Sequence, residues 1–291
     1  MSYQPKRESR SEFLNIRGLR YHLRHWGDDG APLLFLLHGW LDCSATFQFV
    51  VDAFEQDWHV VSPDWRGFGL SEWCPQGYWF PDYLADFEAI VDHCSPDDPI
   101  LLAGHSLGAQ ASSMFAGLRP SRVSRLVCLD GLNVPDMSNE SPVRRLRYWL
   151  DQLREPILHK DHESFDALSL HLRKYHPTLA ADKADFIARC WGRETDDGRV
   201  ALLADPQHRI QGPMRYLVED SMAVWKEVTA PVLCIDGEDS MLRQRLGDQE
   251  TQRRRASFPH QKTVVISSAG HMVHHDQPEE IARRIEAFFL D

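Results

Sequence analysis

The stretch Gly104-His105-Ser106-Leu107-Gly108 holds a serine midway between two glycines. That G-x-S-x-G spacing suits a sharp strand-to-helix turn, on which a serine hydroxyl is lifted clear of a sheet edge and offered as a nucleophile. The glycines permit the tight turn and the close packing around it. The flanking pattern agrees: the apolar run 99–103 predicts a buried strand ending at the motif, and 107–118 carries helical spacing directly after it. A serine at a helix start can also be a plain structural residue. A nucleophile needs more: a base for its proton, an acid to orient that base, and donors for a developing oxyanion. The chain has fifteen histidines, and residue type alone does not choose among them.

The elements that must position such groups are legible as apolar runs alternating with amphipathic stretches. Residues 13–16 and 19–26 read as a first strand pair. The runs 32–37, 58–62, 99–103 and 123–129 read as short buried strands, with helical spacing at 80–94 and 107–118. After Leu132 the alternation lapses into helical segments rich in Arg, Trp and Leu, broken by Pro156, Pro177, Gly192 and Pro213. Strand patterns return at 231–235 and 263–266, followed by a helix over 278–290. Alternating β and α units predict a mostly parallel central sheet flanked by helices. The span 133–227 is too long for a plain loop. We therefore expect a core in two parts, 1–132 and 228–291, with a helical cap or lid (133–227) inserted after the sixth strand.

Three further motifs join the serine. His38-Gly39-Trp40 follows a buried strand, Asp64-Trp65-Arg66-Gly67-Phe68-Gly69-Leu70-Ser71 follows the next one, and Ala269-Gly270-His271 precedes the last helix. In this order the four motifs resemble the α/β-hydrolase superfamily, and the resemblance covers nearly the whole chain. It implies that the backbone N–H groups of Trp40 and Leu107 form the oxyanion hole and that His271 is the base for Ser106. His274 and His275 are close competitors for that role. The stretch 129–132, the Arg-rich helix after it, the turn 237–240 and Asp205-Pro206-Gln207-His208-Arg209-Ile210 look closest to the serine hydrolase-like subgroup.

The acid is less direct. In most relatives it lies three residues after the glycine of the segment Asp236-Gly237-Glu238-Asp239-Ser240, and here that position is Ser240. Asp239 comes one residue early. Asp130, at the carboxyl end of the sixth strand, is the other carboxylate that the parallel topology brings alongside. Asp130 is favoured and Asp239 kept as the alternative, with geometry to decide.

Serine at the turn disfavours reactions that need a carboxylate nucleophile and favours acyl transfer to water. The leading expectation is a serine hydrolase that cleaves a small hydrophobic ester, thioester or lactone through an acyl-enzyme. One alternative is a cofactor-independent dioxygenase of the same fold acting on an N-heteroaromatic ring, suggested by His38-Gly39-Trp40, Asp130 and Cys190-Trp191-Gly192-Arg193. Others are a carbon–carbon bond hydrolase and a catalytically silent binding protein. His38, His105, Trp149 and Trp191 are expected to line the substrate pocket. Tyr148, Phe165, Phe186 and Trp225 are further aromatics of the cap, and most of the cap aromatics should simply pack it onto the sheet. The histidines lack metal-ligand spacing such as HExxH, so neither a metal nor an organic cofactor is expected.

Composition narrows the partners. The 291 residues are 43% hydrophobic and 26% charged, as in ordinary globular chains. With 32 Lys+Arg against 43 Asp+Glu, the net charge of −11 provides no basic field for nucleic acid or anionic lipid. The basic runs 144–147 and 253–255 read as solvated helix faces. The apolar run 33–37 is far too short to span a membrane, and residues 1–12 lack a secretory apolar core. Six scattered cysteines without a CxxC pair fit a reducing compartment. The expectation is a cytoplasmic protein with a small-molecule substrate, of open oligomeric state.

Overall fold

The structure, a computed structural model, describes residues 2–155 and 157–291. Strands β1 (Ser9–Ile16) and β2 (Leu19–Trp26) form a hairpin. Its two-residue turn puts both Arg17 and Gly18 at positive φ, the turn whose twist matches paired strands. Then come β3 (Leu33–Leu37), α1 (Gln48–Val51), β4 (His59–Pro63), α2 (Phe80–Cys94), β5 (Ile100–His105), α3 (Leu107–Leu118) and β6 (Val123–Leu129). The sheet resumes much later with β9 (Val232–Gly237) and β10 (Gln261–Ile266), after two short strands that lie outside it. Its order is β1-β2-β4-β3-β5-β6-β9-β10, antiparallel over the first three strands and parallel from β4 to β10. The parallel strands are apolar almost throughout because both of their faces are covered.

One apolar cluster lies under α2 and α3, with Phe35, Phe87, Leu102, Phe115 and Leu126 buried in it. The other lies under α1 and the last helix, α11 (Pro278–Leu290), where Ile281, Ile285, Phe288 and Phe289 meet Val50, Trp58 and Ile235. The parallel strands end at one edge of the sheet, so the loops leaving β3, β5, β6 and β9 and the segment after β10 cluster there.

Between β6 and β9 lie α4 (Pro142–Gln152), α5 (Phe165–Tyr175), α6 (Ala181–Trp191) and α7 (Val218–Trp225). The helical reading of this stretch needs one correction. Gly192–Glu194 and Val200–Leu202 pair as a small antiparallel ribbon, β7 and β8, each too short for a periodic signal. Pro156, one of the expected breaks, lies outside the described residues. α5 and α6 share their own apolar cluster around Leu168, Ile187 and Ala188, into which the core inserts Phe49. α7 behaves differently. Val218, Met222 and fully buried Trp225 pack into the sheet's own cluster, and Trp225 Nε1 donates to Ser113 Oγ on α3 at 2.9 Å.

The basic runs also differ from expectation. Arg145, Arg254 and Arg255 are buried, because loop carbonyls and carboxylates need their donors. Arg254 donates to the carbonyls of Leu132 and Val134 just beyond β6, and Arg145 to that of Gly212. Arg255 pairs with Asp236. Arg254 and Arg255 sit on α9 (Asp248–Arg255), which follows α8 (Met241–Leu246), and α10 (Val273–Asp276) precedes α11. No helix among the described residues is long and apolar enough to cross a membrane. All six cysteines are free.

Candidate active site

Ser106 sits between β5 and α3 with φ 51° and ψ −113°, a conformation that side chains other than glycine rarely adopt. The surrounding backbone holds it there. Its N–H donates to the Leu129 carbonyl at 3.0 Å, and its own carbonyl accepts from Gln110 N at 3.0 Å. Gly104 and Gly108 are needed for space rather than freedom. A Cβ on Gly104 would strike the Gly108 carbonyl, and one on Gly108 would strike the Leu37 carbonyl. The elbow is therefore wedged against β3.

His271, in the loop between β10 and α10, brings Nε2 to 3.1 Å from Ser106 Oγ. Its Nδ1 lies 2.6 Å from Asp130 Oδ2. With the carboxylate as acceptor, Nδ1 carries the ring proton and Nε2 offers its lone pair to the serine. Asp130 follows β6 directly, at φ 42° and fully buried. Its N–H bonds to the Ile235 carbonyl at 2.7 Å, which ties it to β9.

Asp239 is not part of this line. It is exposed, and its backbone N–H donates to the Ala269 carbonyl. Ser240, at the position where most relatives carry the acid, instead donates its hydroxyl to Asp130 Oδ2 at 2.6 Å. In the sequence Ser240 stands only as a departure from the family pattern. The available signal was that a hydroxyl beside a relocated carboxylate is a natural donor to it.

The remaining expected residues divide. Leu107 N is the first amide of α3 and Trp40 N lies in the loop after β3; neither donates to a protein acceptor among the described residues. His38 and His105 turn their rings inward and do not line the cavity described below. The His38 ring is wholly buried, accepting from Trp65 N at Nε2 and donating to the Gly39 carbonyl at Nδ1. Burial drives its pKa below the usual histidine value. His105 is buried too, and Nε2 donates to the His271 carbonyl at 2.8 Å.

Trp149 packs edge-on against Trp79 at 6.0 Å. Trp191 does line a cavity, of about 580 Å³, between the cap and the loop after Trp40. Leu41, Leu168, Leu203, Lys160 and Arg209 also line it, whereas Ser106 and His271 do not. His274 and His275 are buried, and the histidine hydrogen-bonded to Ser106 Oγ is His271.

A family model described as the alpha/beta hydrolase fold matches residues 32–278. The chain belongs to that family. This hydrolase is 27% identical to a serine hydrolase-like protein of Danio rerio, over 90% of this chain and 83% of that one. It is 29% identical to the 2-(acetamidomethylene)succinate hydrolase of Mesorhizobium japonicum, over 96% and 94% of the two chains. Among solved structures, it is similar to a thioesterase domain from the curacin biosynthetic pathway, with a TM-score of 0.86 at 25% identity over 96% of this chain and 99% of that one. These relatives place the enzyme near the serine hydrolase-like group of the α/β hydrolases and imply a small-molecule substrate.

Proposed function

We propose that this hydrolase cleaves a small ester, thioester or lactone through an acyl-enzyme formed on Ser106. The observation that carries the reading is the unbroken line from Ser106 Oγ to His271 (3.1 Å) to Asp130 (2.6 Å). His271 Nε2 takes the hydroxyl proton as Oγ attacks the substrate carbonyl, and the amides of Trp40 and Leu107 receive the resulting oxyanion. Such donors typically contribute about 2.7–4 kcal/mol each, because they meet charge that exists only in the intermediate. Asp130 keeps the imidazole in one tautomer and steadies it when protonated. Collapse expels the alkoxide or thiolate, which takes the proton from His271. A water molecule, deprotonated in turn by His271, then attacks the acyl-enzyme and releases the acid and Ser106.

The thioesterase and succinate-derivative names of the relatives support an acyl substrate. The cavity beside Leu41 supports a substrate that extends under the cap, with apolar walls and Lys160 and Arg209 at hand for a carboxylate or phosphate. The test is intact-mass spectrometry after treatment with a fluorophosphonate probe. The expected result is one adduct on the wild type and none on Ser106→Ala. Well-folded wild type without an adduct would overturn the acyl-enzyme reading and favour the dioxygenase alternative, which needs no such intermediate.

A further inference from the structure

Behind the elbow lies a second group of ionisable side chains that the proposed mechanism does not use. Asp42, His105 and His274 are all buried, and one ligand-capable atom from each falls within 4.8 Å of the other two. Each comes from a loop that carries one part of the catalytic line. Asp42 lies two residues beyond Trp40, His105 adjoins Ser106, and His274 lies three residues beyond His271.

The polar atoms facing one another here are unsatisfied. Asp42 Oδ1 accepts from Cys43 N (2.9 Å), Thr46 Oγ1 (2.8 Å) and Trp191 Nε1 (3.1 Å), while Oδ2 has no hydrogen-bond partner. His105 donates from Nε2 to the His271 carbonyl, which leaves Nδ1 as a buried, unpartnered lone pair. Neither nitrogen of His274 has a partner, and its Nε2 stands 3.5 Å from Asp42 Oδ2. His275 Nε2, also unpartnered, is 4.0 Å from the same oxygen. Orphaned buried polar atoms are costly and rare, and here they converge.

The geometry points to a divalent metal site, best matched by Zn²⁺, held by Asp42 Oδ2, His105 Nδ1 and a nitrogen of His274, with His275 beside it. The donor set is the nitrogen and carboxylate mixture that zinc takes. Zinc–ligand bonds of about 2.0–2.1 Å set tetrahedral ligand spacings of roughly 3.3 Å. The Asp42–His274 separation of 3.5 Å is already close to that, and the widest spacing of 4.8 Å closes by at most about 1.5 Å. The outer partners are those of metal ligands: the second ring N–H of a histidine goes to a backbone carbonyl and the second carboxylate oxygen is anchored by donors.

The same Asp42 lines the cap cavity, which gives an ion a way in. An ion here would pin together the loops bearing Ser106, His271 and the Trp40 amide. Because the three residues are far apart in sequence, no spacing motif announces them.

The test uses the full chain, depleted of metal with a chelator and titrated with Zn²⁺ and, separately, Co²⁺. Expected are about one zinc per chain by elemental mass spectrometry, a tetrahedral Co²⁺ absorption spectrum, and a zinc-dependent rise in Tm. His274→Gln should weaken Zn²⁺ binding by more than about 100-fold, and Thr46→Val, which loosens Asp42 without touching a ligand, by about 10-fold. His271→Ala should bind as the wild type does. The proposal fails if the wild type binds no stoichiometric zinc, leaving a buried ion pair or an ordered water between Asp42 and His274. It also fails if His271→Ala abolishes binding that His274→Gln retains, since the ion would then sit on the catalytic line. The wild-type stoichiometry and Thr46→Val decide the matter even if His274→Gln does not fold.

Discussion

The edge of the sheet and the cap above it are built to different standards. At the edge, Ser106, Asp130 and His271 are each fixed from two sides. Ser106 N is tied to β6, Asp130 N to β9, and the Asp130 carboxylate receives both His271 and Ser240. In the cap, α4 buries only Arg145, and Val143, Leu146, Leu150 and Leu153 on or beside it are about half exposed. Stacking and polar contacts add to the apolar packing of α5, α6 and α7 on the core. His208 stacks between Phe68 and Tyr78 at 3.7 and 3.6 Å, Trp191 reaches Asp42, and Trp73 donates to the Leu203 carbonyl. Chemistry needs atoms placed to a fraction of an ångström, whereas a substrate pocket tolerates looser walls. Substitutions at the edge should therefore act on turnover, and those in the cap on stability and substrate preference.

The largest effect should come from His271→Ala. Without the ring, Ser106 loses its proton acceptor, and kcat is expected to fall by about 10⁴-fold or more with an unchanged far-UV spectrum. Activity near that of the wild type would reassign the base. Asp130→Asn comes next, at about 10³–10⁴-fold in kcat, because the amide can hold the wrong imidazole tautomer. Asp239→Asn should stay within about two-fold, its side chain being in solvent. The contrast between those two variants is the sharper measurement, and the reverse order would return the acid role to Asp239. Ser240→Ala is intermediate. It removes one hydrogen bond to a buried carboxylate, worth about 1.5–3 kcal/mol, but leaves the His271 contact in place. A loss of roughly 10-fold in kcat is expected, and no loss would mean that Asp130 is held adequately without it.

The same division separates what could be read from the sequence from what could not. The strand expected over 123–129 is observed as Val123–Leu129, and the helices expected over 107–118 and 278–290 as Leu107–Leu118 and Pro278–Leu290. Strong apolar periodicity with a clear stop at each end makes such elements legible. Ser106, Asp130 and His271 stand beside such elements, where the family resemblance expects a nucleophile, an acid and a base, and the structure brings their side chains into hydrogen-bond reach of one another. Adjacency to a motif says nothing of where a ring points, and the rings of His38 and His105 turn inward among buried partners. β7 and β8 escaped because three residues carry no period. Arg254 looked solvated in a basic run, yet carbonyls from a loop some 120 positions away claim it. Contacts of that range follow from the fold and leave no local trace.

The smallest effect expected sits at the cap's main anchor. Burial pushes His208 down to about 3, against backbone acceptors at Arg66 and Gly67 that favour its protonated form. Folded, the ring stays neutral between Phe68 and Tyr78; unfolded, it takes up a proton near its ordinary value of about 6.5. The unfolded chain thus binds more protons below that value, so stability declines as pH falls through about 6.5 and levels off near 3. His208→Asn removes this share of the acid sensitivity. Its Tm should be lower than that of the wild type by a few degrees at pH 8, for want of the two stacking contacts. The gap should narrow between pH 6.5 and pH 4, leaving a shallower slope rather than a flat one, because burial also holds His25 at about 4. A constant gap across that range would mean that His208 is protonated in the folded cap. Fluorophosphonate labelling of Ser106 in the same variant should stay within a few-fold of the wild type, because no triad atom rests on the cap's anchor. A large fall in labelling would mean that the cap's anchor helps to hold the catalytic line.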